Sequence, residues 1–376
     1  MEFLTGFISY IVPFLLVLTV VVFFHELGHF LVARWNKVDV EAFAVGFGPE
    51  IFGFNDRNGT RWKLCAIPLG GYVKFLGDAN AASVPDFEGN REMSDAEKAG
   101  SFEHKTVGQR AAVVAAGPIA NFILAIIIFA GSFYFIGRYV TDPVVSSVLE
   151  ESAAEAAGVQ PGDQIVAING LDIESFSDIP RIVGPNHGIE LQFTLLRDGN
   201  ELTLPITPKL TERTDQFGNK INMGVIGITS ETRSANPRRK EFGMVEAFSA
   251  AVGETVYIVQ RTFQFLGGVF TGRESADQLS GPIGIAKAAG DFYSIGWPQL
   301  VYLAGLLSVS IGLLNLFPIP LLDGGHLVFY AAEAIRGTPV PEKVQEISFR
   351  VGFLILIGFM LFATRNDLVY RMPWSG

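Results

Sequence analysis

The chain has 376 residues, 49% of them hydrophobic, and a mean hydropathy of +0.34. Soluble domains rarely average so apolar, whereas several membrane spans plus a polar domain do. A net charge of −10 without a long basic run leaves nothing to support a nucleic-acid partner, and a single cysteine, Cys65, excludes an internal disulfide or a cysteine metal site.

Residues 1–36 are expected to form a first transmembrane helix. Phe3 to Phe24 is uncharged, about 22 residues, enough to cross about 30 Å of hydrocarbon. No positive n-region precedes it and no small-residue cleavage site follows, so it reads as a retained span. Residues 37–106 form a loop. Within it, Ile51–Phe54 and Trp62–Ile67 flank a turn containing Asn58-Gly59, a hairpin signal. The stretch 45–75 is too apolar for a solvent loop, so the hairpin is expected to be membrane-associated. Residues 78–105 read as polar and irregular.

Residues 107–138 hold a second span, uncharged from Ala111 to Gly137. Ala111, Ala112, Ala115, Ala116, Gly117 and Ala120 give it a small-residue face suited to close packing against the first span. Asn121 in that run needs partners and is a candidate brace. Residues 139–208 read as a small β-rich domain. Residues 209–296 begin as polar linker and continue as an amphipathic helix over 241–270, suited to a membrane surface. Residues 297–325 form the third span, starting near Trp297-Pro298. Residues 326–376 hold a further loop and a fourth span over Val351–Thr364, long enough only if the helix starts near Val344 and Arg350 snorkels. The first loop is denser in Lys and Arg than the region between the second and third spans, which puts it in the cytoplasm and 139–208 outside. The fold class is a polytopic α-helical membrane protein of about four spans, with a membrane-associated β-hairpin and one inserted β-rich domain.

The chemistry is concentrated in His25-Glu26-Leu27-Gly28-His29. On a helix, two histidines four residues apart share a face and can grip one Zn²⁺, with Glu26 beside them as general base. A catalytic zinc needs a third protein ligand, and Asp323 is the candidate. It closes Asn315-Leu316-Phe317-Pro318-Ile319-Pro320-Leu321-Leu322-Asp323-Gly324-Gly325, where the prolines should break the helix and the glycines permit a sharp turn aiming the carboxylate. Spans one and three run parallel, so His29 and Asp323 arrive at the same membrane face. Asp323 as an interfacial turn residue, and His326 as the third ligand, remain the alternatives. A metal transporter would string ionisable groups across its spans, whereas these cluster at one depth. A scaffold with a structural metal would keep its function without Glu26.

At these residues the chain resembles the site-2 protease family of intramembrane metalloproteases, through both His25-Glu26-x-x-His29 and Asn315-x-x-Pro318-x-Pro320-x-x-Asp323-Gly324-Gly325. Gly117-Pro118-x-x-Asn121-Phe122 and Ser280–Lys287 resemble its bacterial regulator-of-sigma-E branch, and Ala153–Gly170 resembles the core of bacterial PDZ domains. The resemblance implies His25, His29 and Asp323 as zinc ligands, Glu26 as the catalytic base and Asn315 near the substrate. It also implies a multi-pass protein of the bacterial inner membrane, its active site near the cytoplasmic side and its PDZ domain periplasmic. The implied substrates are single-pass membrane proteins, anti-sigma factors or remnant signal peptides, already trimmed by an upstream site-1-type protease. Some members carry two PDZ domains; this chain has room for one, as a size filter or a peptide binder.

Overall fold

The computed structural model describes residues 2–78, 92–214, 220–230 and 238–370. The chain divides into two compact units, one of Met1–Ser132, Met244–Arg261 and Leu279–Gly376, the other of Phe133–Gly243 and Thr262–Gln278.

The first unit opens with α1 (Glu2–Trp35). Pro13, Val17, Val21, His25 and His29 recur every four residues as its buried stripe, while Ile8, Val12, Leu16, Val20 and Phe24 form an exposed stripe. One side of the helix therefore meets protein and the next is left for lipid. β1 (Val40–Asn55) and β2 (Arg61–Phe75) follow as an antiparallel hairpin. Its turn carries the expected Asn58-Gly59, with Gly59 left-handed (φ 89°) and the Asp56 carboxylate accepting from the Asn58 and Thr60 N–H groups. Left-handed Gly46, Gly48 and Gly70 let both strands double back. Val40–Val45 consequently pairs with 71–75 on one flank and meets 61–64 on the other, and 52–55 lines the outer flank of 61–64. Phe47, Ile51, Phe52, Phe54, Leu64, Ile67 and Leu69 are exposed, the pattern of a sheet that presents apolar side chains outward.

Part of the stretch expected to be irregular, 79–91, lies outside the described residues. The remainder contains α2 (Asp95–Gly100), started by a reciprocal capping box between Ser94 and Glu97. Ser-x-x-Glu is the signal that was available for it. α3 (Val107–Phe135) then packs on α1 through small residues, as its composition suggested. A Cβ on Gly28 would lie 2.3 Å from the Ala116 carbonyl oxygen and 2.7 Å from the Ala120 Cβ.

The second unit comprises β3 (Arg138–Val140), β4 (Ser147–Val148), α4 (Ala153–Ala156), β5 (Gln164–Ile168), β6 (Leu171–Asp172), α5 (Asp178–Val183), β7 (Leu191–Arg197), β8 (Asn200–Ile206), β9 (Lys209–Thr214), β10 (Lys220–Val225), β11 (Ile228–Thr229) and β12 (Arg238–Lys240). Four strands form an antiparallel sheet in the order β6-β5-β7-β8. Phe193 and Leu195 alternate into its core, joined by Ile206 and by Ile165 and Ile168, which a register shift in β5 brings to the same side. Asp163, buried at its edge, is held by Arg197 at 2.6 Å and by the Gln160 N–H at 2.8 Å. Residues 209–240, read from sequence as linker, contribute strands instead: β9 pairs with β10, β11 with β4 and β12 with β3. Short polar strands such as Arg238–Lys240 have no apolar alternation to reveal them.

The chain continues with α6 (Met244–Phe270), α7 (Pro282–Ile295), α8 (Trp297–Asn315), α9 (Asp323–Arg336) and α10 (Glu342–Tyr370). α6 exposes Val245, Phe248, Val256 and Phe263, matching the expected amphipathic helix. α8 starts at Trp297 and packs on α3, its Ser308 hydroxyl donating to the Asn121 carbonyl at 2.8 Å. α10 extends well beyond Val351–Thr364. Near its start Arg350 lies 3.8 Å from Glu346, and near its end Asp367 accepts the Gly281 and Gly284 N–H groups at the start of α7. Four of the described helices are long and apolar enough to cross a membrane: Ile8–Trp35, Val107–Phe135, Trp297–Asn315 and Glu342–Val369. Together with the small antiparallel sheets, they fit a polytopic helical membrane protein.

Two predictions follow from this packing. Gly28→Val should separate α1 from α3, costing about 1–3 kcal/mol by overpacking, read as a lower Tm of the detergent-solubilised protein. The second concerns Asp78, buried beyond the end of β2 and accepting the Phe75 N–H at 3.0 Å. Burial lifts its carboxyl to about 8; Glu103 and Glu41 add to the rise, and the Phe75 N–H and Lys74 oppose it. Its neutral form suits the fold, so that contribution is complete below the ordinary carboxylate range near 4 and is lost as pH rises through 8. Asp78→Asn should therefore flatten the fall in Tm of the wild-type protein between pH 5 and pH 9.

Candidate active site

The buried stripe of α1 ends in the two histidines. Their Nε2 atoms lie 3.2 Å apart and their rings meet edge-on at 86°. Each ring is fixed from behind by α3. His29 Nδ1 meets the Val113 carbonyl oxygen at 2.9 Å, a contact that requires the proton on Nδ1 and leaves Nε2 with its lone pair forward. His25 Nδ1 meets the Asn121 side-chain amide at 3.2 Å. Gly117 is the residue that lets α3 come this close. A Cβ there would lie 2.2 Å from His29 Nε2 and 2.9 Å from His25 Cε1.

The third group arrives from another element. α8 stops at Asn315, as Pro318 and Pro320 foretold, and a tight turn leads to α9 with Asp323 as its first residue. The turn differs from expectation in its mechanism. The left-handed residue is Leu321 (φ 81°), while Gly324 and Gly325 already belong to the helix. These glycines serve close approach: a Cβ on Gly324 would lie 2.3 Å from both the Leu316 and the Phe317 carbonyl oxygens. α10 backs the same turn, with Gly352 against the Pro320 carbonyl.

Asp323 Oδ2 thereby stands 3.2 Å from His25 Nε2 and 3.5 Å from His29 Nε2. Among the described residues, His25, His29 and Asp323 are the group of side chains that could hold a metal ion. Tetrahedral zinc with nitrogen and oxygen ligands at about 2.05 Å sets its ligand atoms about 3.3 Å apart, and the three observed separations match that edge. Asp323 Oδ2 is buried with no hydrogen-bond partner, which is costly without a cation. The donor set therefore fits zinc. His326, the rival ligand, is half-buried beside Phe329, Tyr330 and Phe349, its ring 5.4 Å from that of Phe349.

A cleft opens in front of the trio. It is lined by Glu26 and Asn315, by His326 and Tyr330 of α9, and by Gly71–Val73 of β2. Sequence reasoning brought His25, Glu26, His29, Asn315 and Asp323 to one site. It did not single out Gly71–Val73 within the 45–75 hairpin, and it missed Tyr330 on the cleft wall and the Arg110–Glu333 pair against that ring.

Residues 13–359 match Peptidase family M50. The chain belongs to that family. Curated relatives agree over nearly the full length. A protein of Agrobacterium fabrum named "Putative zinc metalloprotease Atu1380" is 53% identical over 365 residues, covering 97% of each chain. A counterpart of the same descriptive name in Mesorhizobium japonicum is 49% identical over 363 residues, covering 96% of this chain and 99% of its own. "Metalloprotease MmpA" of Caulobacter vibrioides is 39% identical over 386 residues, covering 96% of both. This M50 protein is a zinc metalloprotease.

Glu26→Gln is expected to lower peptide-bond hydrolysis by about 10²–10⁴-fold, the usual contribution of a general base, with zinc content unchanged by elemental analysis. Asp323→Ala should instead lose the metal.

Proposed function

We propose that this M50 metalloprotease cuts peptide bonds within the transmembrane segments of single-pass membrane proteins, with His25, His29 and Asp323 holding zinc. The observation that carries the reading is the trio itself: three ligand atoms at zinc-like separations, drawn from the first span and from the turn after the third. When bound, zinc supplies Lewis acidity that makes water a competent nucleophile near neutral pH and polarises a carbonyl oxygen. Glu26 accepts the proton of the attacking water and returns it to the leaving nitrogen. Asn315 lies at the end of α8 and on the cleft wall, which supports a role for its amide as a donor to the substrate backbone.

A helical substrate hides its carbonyls and must unwind before it reacts. In lipid an unwound backbone needs partners for its N–H and C=O groups. The 71–75 rib of β2 pairs with β1 on one flank, and a Cβ on its Gly71 would lie 3.3 Å from Val22 Cγ1 and 3.4 Å from Glu26 Cγ. Strand addition along that rib would supply the partners and present the scissile bond to the trio.

The substrate class extends to anti-sigma factors and remnant signal peptides, acted on after an upstream protease has removed the outer domain. The second unit, in which Ala153–Gly170 contributes a capped short helix, strand β5 and a left-handed Asn169-Gly170 turn, is a PDZ-like domain on this reading. It stands on the periplasmic side of a bacterial inner membrane, with the active site towards the cytoplasm, and screens substrates by size.

The test uses the purified full-length protein in detergent, with a model single-pass substrate whose outer domain is present or absent. The expected result is cleavage inside the apolar segment, abolished by a zinc chelator, restored by Zn²⁺ and faster on the trimmed substrate. Cleavage confined to soluble loops would overturn the intramembrane reading.

A further inference from the structure

We propose that Arg110 is a positioning residue that keeps the Asp323 helix in register with the histidine pair; the inference rests on the zinc site described above. Arg110 lies in the first turn of α3, yet it is only 7% exposed. Its guanidinium is occupied on every side. Nη2 donates to Glu333 Oε1 at 2.6 Å, Nη1 lies 3.7 Å from Glu103 Oε2, Nε donates to the Lys105 carbonyl at 3.2 Å, and the plane sits 4.9 Å from the centre of the Tyr330 ring.

Helical spacing shows what this contact joins. On α3, Arg110, Val113, Gly117 and Asn121 follow one another at steps of three or four residues and share a face. The last three of them touch or border the histidine rings. On α9, Asp323, His326, Tyr330 and Glu333 recur at the same spacing and also share a face. Arg110 therefore grips the far end of the ladder whose near end is Asp323, about 15 Å away by helical rise. Lys105 extends the clamp to the end of α1, its ammonium donating to the Lys37 carbonyl at 2.6 Å. The two halves of the metal site sit on α1 and α9, and this buried node ties α9 to α3, the helix that backs the histidine rings.

A buried ion pair is poor evidence for stability but a strong specifier of register, because sliding α9 would leave a buried charge unpaired. A planar guanidinium can serve Glu333, Glu103, a carbonyl and an aromatic face at once, which a lysine ammonium cannot.

The experiment compares Arg110→Gln, Glu333→Gln and Arg110→Lys in the full-length detergent-solubilised protein. Zinc affinity is read by chelator competition, kcat and KM on a model transmembrane substrate, and Tm alongside. Arg110→Gln and Glu333→Gln should each weaken zinc about tenfold, the scale of outer-shell changes at metal sites, and lower kcat with KM near wild type. Arg110→Lys should recover part of both. Wild-type zinc affinity and kcat in the Gln variants, with only Tm reduced, would overturn the proposal. Should Arg110→Gln fail to fold, Glu333→Gln decides alone, since it keeps the side chain's shape and removes its charge. Asp323→Ala serves as the control on the underlying reading: retention of zinc there would discredit the metal site itself, whatever Arg110 does.

Discussion

Everything in the first unit follows from how closely two backbones approach. α1 and α3 meet at Gly28, which lies against the Ala116 carbonyl, and at Gly117, which lies against the two histidine rings. Only at that separation can α3 offer a backbone carbonyl to one imidazole and an amide to the other. Lipid provides no hydrophobic drive to bring helices together, so small residues and interhelical hydrogen bonds must supply the association. The Val113 carbonyl thus fixes His29 in the tautomer whose Nε2 carries the lone pair.

The second constraint is the turn between α8 and α9. Two prolines end one helix, Leu321 takes a left-handed backbone, and a glycine pair lets the next helix start against the carbonyls of the turn. Asp323 falls in the first turn of α9, where the helix dipole favours a carboxylate. The C-terminal helix α10 braces this arrangement at Gly352 and, through Asp367, fixes the start of α7. Residues far apart in sequence are therefore held to one small volume by close backbone contacts together with a few buried polar side chains.

Much of this was legible in the sequence because the signals were local. Uncharged runs gave the four helices, His25-Glu26-x-x-His29 gave a helical face with metal-binding chemistry, and Pro318-x-Pro320 gave the break before Asp323. The hairpin was visible in Asn58-Gly59, but its folding back on itself was not, since that depends on Gly46, Gly48 and Gly70 adopting left-handed conformations. The strands within 209–240 escaped because they are short and polar and owe their form to partners elsewhere in the second unit. Arg110 escaped for the same reason. A lone arginine at the start of a span looks like an interfacial anchor until Glu333, more than two hundred residues later, is seen beside it.

The bare backbone at Gly71 has a steric implication. Any side chain there would crowd the Ala44 carbonyl oxygen and the Glu26 side chain. On the proposed mechanism, the lane along which an extended chain reaches the carboxylate is kept open by the lack of a side chain at that one position, and a larger residue would narrow it for every substrate alike.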